Sequence, residues 1–348
     1  MKVSQENNAS PAEISVKETH AGKMFKFMAN ILLVPVSLLN NGKYKLKIKS
    51  WRFFCSCLLW CVLPSVNEAY MMYQDYENGI PSKADFKYFS KLAFIQLGSI
   101  TALLNYWILK VCGAYLVEQC GSIPLLELPS RKLQLTLFLV YSIGVCIVVI
   151  YIMEGLNKFL VPVYYFFVPL KLLSNLFLMN VFTSNFVKKC KNLSLLTDTK
   201  TLLKESESVS NAYVDLKRGL GPSLLFHYTT SLLMIMNCSY AFVNDFAITK
   251  VADTISNVFI IWNITSISQE CFEEQQNAND VLRIAANECL DPDLKEELKW
   301  RWSVGKQESE LTALGFFTIS KSSMISAFST MLGYLIVLIQ FKMADEDN

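Results

Sequence analysis

The chain has 348 residues, of which 52% are apolar and only 18% charged, with a net charge of +2 and a mean hydropathy of +0.31. Soluble domains carry about a quarter charged residues and slightly less than half apolar ones. An ordinary soluble globule is therefore excluded, as are collagen-like, disordered and disulfide-scaffold chains, and the dispersed Lys and Arg leave no basic face for nucleic acid. What remains is an all-α integral membrane protein.

In chain order, residues 1–52 read as a cytoplasmic segment. Residues 1–20 are polar and lack the apolar centre of a secretory signal. Residues 24–39 are short, contain Lys26 and are broken by Pro35, which predicts a helix lying on the membrane surface. A crossing needs roughly 20 mostly apolar residues for about 30 Å of hydrocarbon. Seven stretches qualify: 53–72, 89–116, 133–153 and 159–182, then 223–244 and 251–268, and finally 314–341. They divide the chain into four spans over 53–182, a cytoplasmic helical connection at 183–222, a fifth and sixth span over 223–268, a cytoplasmic helical anchor at 269–313, a seventh span at 314–341 and an outer tail at 342–348. Pore and ligand routes run among the helices, because the predicted outer loops are short.

Orientation follows from the Lys and Arg of the connecting segments. With the N-terminus inside, the inner segments hold 23 basic residues and the outer ones five, Lys83, Lys87, Lys158, Lys250 and Lys342. Seven spans then put the C-terminus outside, the reverse of a G-protein-coupled receptor. The ten cysteines all fall in spans or on the inner side, where bridges are not favoured; Cys55 and Cys57 have no His nearby and read as small apolar packing.

Leu195, Leu196, Leu202, Leu203, Val209, Tyr213 and Leu216 recur at helical spacing, as do Phe272, Val281, Leu282, Ala285, Leu290, Leu294, Leu298 and Trp302. Asp291-Pro292 marks a helix start. Gly219-Leu220-Gly221-Pro222 reads as a hinge where the cytoplasmic connection meets the fifth span.

Chemistry is sparse. The two histidines, His20 and His227, have no Cys, Asp or Glu at ligand spacing, so no metal is expected. Nucleophile elbows, phosphate loops and dinucleotide fingerprints are missing; an enzyme is not expected, nor a cofactor. Lys321, near the inner end of the last span, either lines a water-filled mouth or pairs with an acid. The same span concentrates Ser320, Ser322, Ser323, Ser326, Ser329, Thr330 and Gly333. Small residues let helices approach closely; alternatively this stripe faces a pore narrowed by Val337 and Gln340.

The last span also carries a resemblance. The run from Ala313 through Gly315, Phe316 and Phe317 to Ser320, followed by Gly333-Tyr334, five apolar residues and Gln340-Phe341, resembles the closing signature of arthropod gustatory receptors. The early Leu33-Val34-Pro35, the seven spans and the inverted topology are similar to theirs. Gly333 stands where that family usually has Thr, which removes a hydroxyl and keeps a small side chain. The resemblance implies a plasma-membrane, ligand-gated, non-selective cation channel, a homo- or heterotetramer of related subunits in membrane lipid, opened by a small-molecule tastant. By position it implies a gate at Val337, Gln340 and Phe341. It implies a ligand pocket at Gln96, Tyr151, Tyr164, Phe167, Asn257 and Trp262, an aromatic and amide set suited to stacking and edge hydrogen bonds. Each of these also suits ordinary packing, except Trp262, eleven positions after Val251 and too deep for an interfacial belt. The alternatives are an odorant-type channel subunit and, requiring the opposite orientation, a G-protein-coupled receptor; a transporter lacks its paired broken helices.

Overall fold

The computed structural model describes residues 160–244, 248–307 and 310–346 continuously, with 36–38, 44–46, most of 100–112 and five positions between 51 and 62. Among these residues the elements are a two-stranded ribbon, β1 (Val36–Leu38) and β2 (Tyr44–Leu46), and five long helices: α1 (Leu160–Leu193), α2 (Thr199–Asn244), α3 (Ile248–Glu288), α4 (Pro292–Lys306) and α5 (Lys321–Glu346). The described part of 100–112 is also helical.

The ribbon corrects the end of the surface helix expected over 24–39: residues 36–38 form a strand, and 24–35 lie outside the described residues. Val36 pairs antiparallel with Leu46, and Leu38 with Tyr44. Pro35 cannot donate to a helical ladder, and Asn41-Gly42 between the strands is the dipeptide that favours a hairpin.

α2 has 46 residues and, at 1.5 Å per residue, is roughly 69 Å long, over twice the hydrocarbon thickness of about 30 Å. The predicted fifth span is its outer part and the predicted cytoplasmic connection its inner part. α1 and α3 likewise continue past the predicted spans. Among the described residues, no helix is long and apolar enough to cross a membrane. Several polar residues are buried within these helices: Asn175, Asn180, Thr183, Ser184 and Asn185 in α1, and Asn263, Thr265 and Ser268 in α3.

Contacts fix the helix directions. α1 and α2 are antiparallel: Asn175 meets His227, Phe186 stacks on Tyr213 at 5.4 Å, and Lys189 donates to Ser208 at 2.5 Å. α1 and α3 are parallel, through Asn180 with Asn263 and Lys191 with Glu274. On α2, Leu202, Val209, Tyr213 and Leu216 are buried and Leu195 before it stays 77% exposed. α4 returns beside the inner half of α3 and is tied to α2 by an Arg301–Glu207 pair at 3.0 Å. Asp291 caps it as its spacing predicts, accepting from the Asp293 and Leu294 amides, with Pro292 in the first turn.

Residues 311–319 correct the start of the last predicted span: its helix, α5, begins at 321 and not 314. Leu314 (φ 53°) and Gly315 (φ 81°) occupy two successive left-handed positions. The Phe316 amide donates across them to the Ala313 carbonyl at 3.0 Å, the geometry of a type I′ hairpin turn. Thr312 and Thr318 bridge below it. Leu311, Ala313 and Ile319 are sunk in the core, while Leu314 and Phe316 are exposed. α5 then starts on reciprocal Ser320 and Ser323 bonds, 3.3 Å from the Ser323 amide to the Ser320 hydroxyl and 3.0 Å from the Ser320 amide to the Ser323 hydroxyl. That arrangement satisfies first-turn donors on both sides, as a capping box does. α5 continues through Glu346, into the predicted tail.

Candidate functional site

The chemistry of the described bundle concentrates at the inner end of the predicted spans, where three helices share one hydrogen-bonded chain. His227 Nε2 lies 2.8 Å from Asn175 Oδ1, and Asn175 Nδ2 donates to Asn105 Oδ1 at 2.8 Å. Because Asn175 Oδ1 is an acceptor, His227 is the donor of the first bond. All three side chains are buried. A buried amide or imidazole without partners costs several kcal/mol in an apolar surround, so each holds the others in place. A second amide pair, Asn180 Nδ2 to Asn263 Oδ1 at 3.1 Å, links α1 to α3.

One turn below, Pro222 sits inside α2. Its missing N–H frees the carbonyl four residues earlier, which is that of Arg218. Trp107 fills the vacancy, donating its indole Nε1–H to Arg218 O at 3.2 Å, and Cys112 Sγ reaches Asp215 O at 3.7 Å. α2 therefore runs unbroken where the sequence predicts a hinge. The glycines serve a different purpose. A Cβ at Gly219 would collide with Cys112 Sγ, and one at Gly221 would stand 3.4 Å from the Leu314 backbone nitrogen. Gly219 thus admits the 100–112 helix, and Gly221 admits the hairpin that leads into α5.

α5 is held more loosely. Tyr228 touches Phe317 at 5.1 Å between ring centroids. Beyond that, a groove of about 590 Å³ lined by Thr229, Leu233, Phe317, Ser326 and Thr330 opens on one side of the α2–α5 contact. A second, of about 330 Å³, is lined by Ile235, Val258, Phe328 and Leu335, and the two meet at Met236 and Met331.

The predicted gate residues Val337 and Gln340 lie three apart on α5, on one face, and both are exposed. Phe341 is on the same helix, with its side chain outside the described residues. Of the predicted pocket, Gln96 and Tyr151 lie outside the described residues, and Tyr164 and Phe167 fall on the first part of α1, whose side chains are described only from Asn175 onward. Asn257 and Trp262 are both on α3. Asn257 is half-buried, and Trp262 is 43% exposed, tilted against Phe259 at 5.7 Å. Five positions apart, these two do not share a helical face. Lys321 is exposed at the start of α5.

Sequence reasoning passed over Asn105, Asn175, Asn180 and Asn263, and weighed His227 only as a metal ligand. The usable signal was four asparagines within apolar stretches, which are costly there unless paired. No group of three metal-ligating side chains occurs among the described residues. In the predicted cytoplasmic connection, burial pushes the Cys190 thiol up to about 12. The Thr201 hydroxyl and amide hold the Asp198 carboxyl below the usual carboxylate range.

This arrangement has known counterparts. The family model of the 7tm chemosensory receptors matches residues 39–345. The chain is a 7tm chemosensory receptor. Gustatory receptor 68a of Drosophila melanogaster is 32% identical over 142 residues, 37% of this chain and 36% of that one; the alignment thus spans about a third of that relative's length. Among solved structures, the insect olfactory receptor OR5 from Machilis hrabei is 15% identical over 92% of this receptor and 99% of OR5, with a TM-score of 0.58. Its complex with eugenol gives 0.52 at the same identity, over 92% and 98%. At that identity the likeness speaks for the fold alone.

Proposed function

We propose that this chemosensory receptor is a gustatory-type, ligand-gated cation channel: a tetramer in the plasma membrane, N-terminus inside, in which four copies of α5 surround a pore gated by Val337, Gln340 and Phe341. The observation that carries the reading is the state of α5. Leu332, Tyr334, Ile336 and Val337 are all 45–60% exposed on one subunit, and Gly333 has nothing within 4 Å of an added Cβ. An apolar helix this uncovered needs lipid or further copies around it, and its Gln340 adds a polar group at the outer end. The 32% identity to Gustatory receptor 68a favours a tastant as ligand. A small molecule would enter the outer bundle at Gln96, Tyr151, Tyr164, Phe167, Asn257 and Trp262 and shift a closed–open equilibrium through its different affinity for the two states.

The odorant-type reading has its own support, the likeness to an olfactory receptor solved with eugenol. The two readings differ in ligand class and share the channel. The test is current from membrane patches of cells expressing the receptor, challenged with a panel of sugars, alkaloids and eugenol while G-protein signalling is blocked. Evoked current that persists upholds the channel, and the active compound class separates the two readings. An N-terminal tag reached on intact cells would restore the G-protein-coupled alternative.

A further inference from the structure

Two sets of contacts converge on one stretch of α2. From the 100–112 helix, Asn105 reaches His227 through Asn175, and Trp107 occupies the Arg218 carbonyl that Pro222 leaves free. From the other side, the hairpin before α5 is seated against Gly221, with Phe317 on Tyr228. Residues 218–228 therefore touch the 100–112 helix, α1 and the base of the last helix within three turns. α5 itself is flanked by the two grooves along the rest of α2, so its position is decided at its base.

We propose that His227 and Asn175, with Asn105, are positioning residues for gating: their hydrogen-bonded chain sets where α2 stands relative to the 100–112 helix and, through the hairpin, where α5 stands. His227 is the member that faces both ways, since its ring belongs to the chain and its neighbour Tyr228 carries the hairpin. A rearrangement in the outer bundle that moves the 100–112 helix or α1 is passed to α5 through these bonds. Bulk alone does not transmit it; the N–H of residue 227 is required. The consequence for current rests on the channel reading above, whereas the mechanical link does not.

The test uses the full-length receptor in lipid nanodiscs with nitroxide-bearing unnatural amino acids at Leu103 and Ile325, both exposed, and measures the distance between them by pulsed electron resonance. His227→Leu keeps bulk and removes the bond, and should shift or broaden the distance by about 2 Å or more, the scale of helix shifts in switching proteins. His227→Gln, whose amide restores a donor, should return it to the wild-type distribution. If His227→Leu does not yield a monodisperse receptor, Asn105→Ala at the far end of the chain takes its place, with the same expected shift. An unchanged distance in the bond-breaking variant, or a His227→Gln variant indistinguishable from His227→Leu, overturns the proposal. Ligand-free current per surface receptor separates the mechanical link from its role in gating. A moved distance with a change of about fivefold or more, the low end of ordinary coupling, upholds both. A moved distance with unchanged current upholds the mechanical link and overturns its role in gating, while the channel reading stands or falls by the ligand-evoked current of the wild-type receptor.

Discussion

The inner bundle and the last helix are built to different tolerances. Around Tyr213 and Phe186 the helices α1, α2 and α3 bury aromatic rings to 0% exposure and lock polar groups into pairs. Along α5, large apolar side chains remain exposed and two grooves separate the helix from its neighbours. Close-packed interiors transmit displacement because they have no slack, while a helix with space on both sides can take up a new position cheaply. One chain thus combines a closely packed frame with a loosely covered helix.

Substitutions sort that contrast by size. Tyr213→Ala removes a fully buried ring at the centre of the frame and should cost about 3–5 kcal/mol, read as a collapse of the thermal melting midpoint in detergent. A stable Tyr213→Ala receptor would break the picture of a closely packed frame. Gly219→Leu drives a side chain into Cys112 and should cost about 1–3 kcal/mol, with the loss relieved in part by Cys112→Ala. Asp291→Ala removes the α4 cap and should cost about 1 kcal/mol. On the other side of the contrast, Gly333→Ala enters open space within the subunit. It should raise the melting midpoint of isolated subunits by an amount equivalent to about 0.8–1 kcal/mol, the helix preference of Ala over Gly. A loss confined to the assembled receptor would place a second copy against that position.

The smallest effect is a rate. Thiolates, not thiols, attack maleimides, so Cys190, pushed up to about 12 by burial, should stay unlabelled at pH 8 in the folded receptor while half-buried Cys289 reacts. The folded value lies above the unfolded 9.0, so the stabilisation from keeping Cys190 protonated is whole below about pH 9 and is lost as pH rises towards 12. Asp198 runs the other way. Its lowered value means that its contribution is present above the unfolded carboxylate range and lost as pH falls through the folded value, so Asp198→Asn should matter at neutral pH and not in acid.

The helical class, the α4 cap and the buried stripe of α2 were legible because each rests on local spacing: Asp291-Pro292 is a start signal wherever it stands, and Leu202, Val209 and Leu216 recur at the helical period. The resemblance carried by Gln340-Phe341 was legible for the same reason, being contiguous. The seam was not. Asn105, Asn175 and His227 come from three separate stretches, and no period connects them; only the packing of their helices does. Two errors have local causes. Leu314 hides a left-handed turn position because leucine adopts it rarely, at a cost of order 1–3 kcal/mol, so the last helix was started seven residues early. Gly219 to Pro222 looks like a hinge to any reading that sees one helix at a time.

Trp107 also bears on the order in which the chain is made. A helix that depends on another segment for one of its own backbone bonds is incomplete until that segment is present. Residue 107 leaves the ribosome more than a hundred positions before Arg218 and Pro222. The donor is therefore already synthesised when the proline emerges, and α2 can close over its one defective turn as it is made. A circularly permuted receptor that synthesised α2 first would have to hold that carbonyl unpaired until the tryptophan arrived.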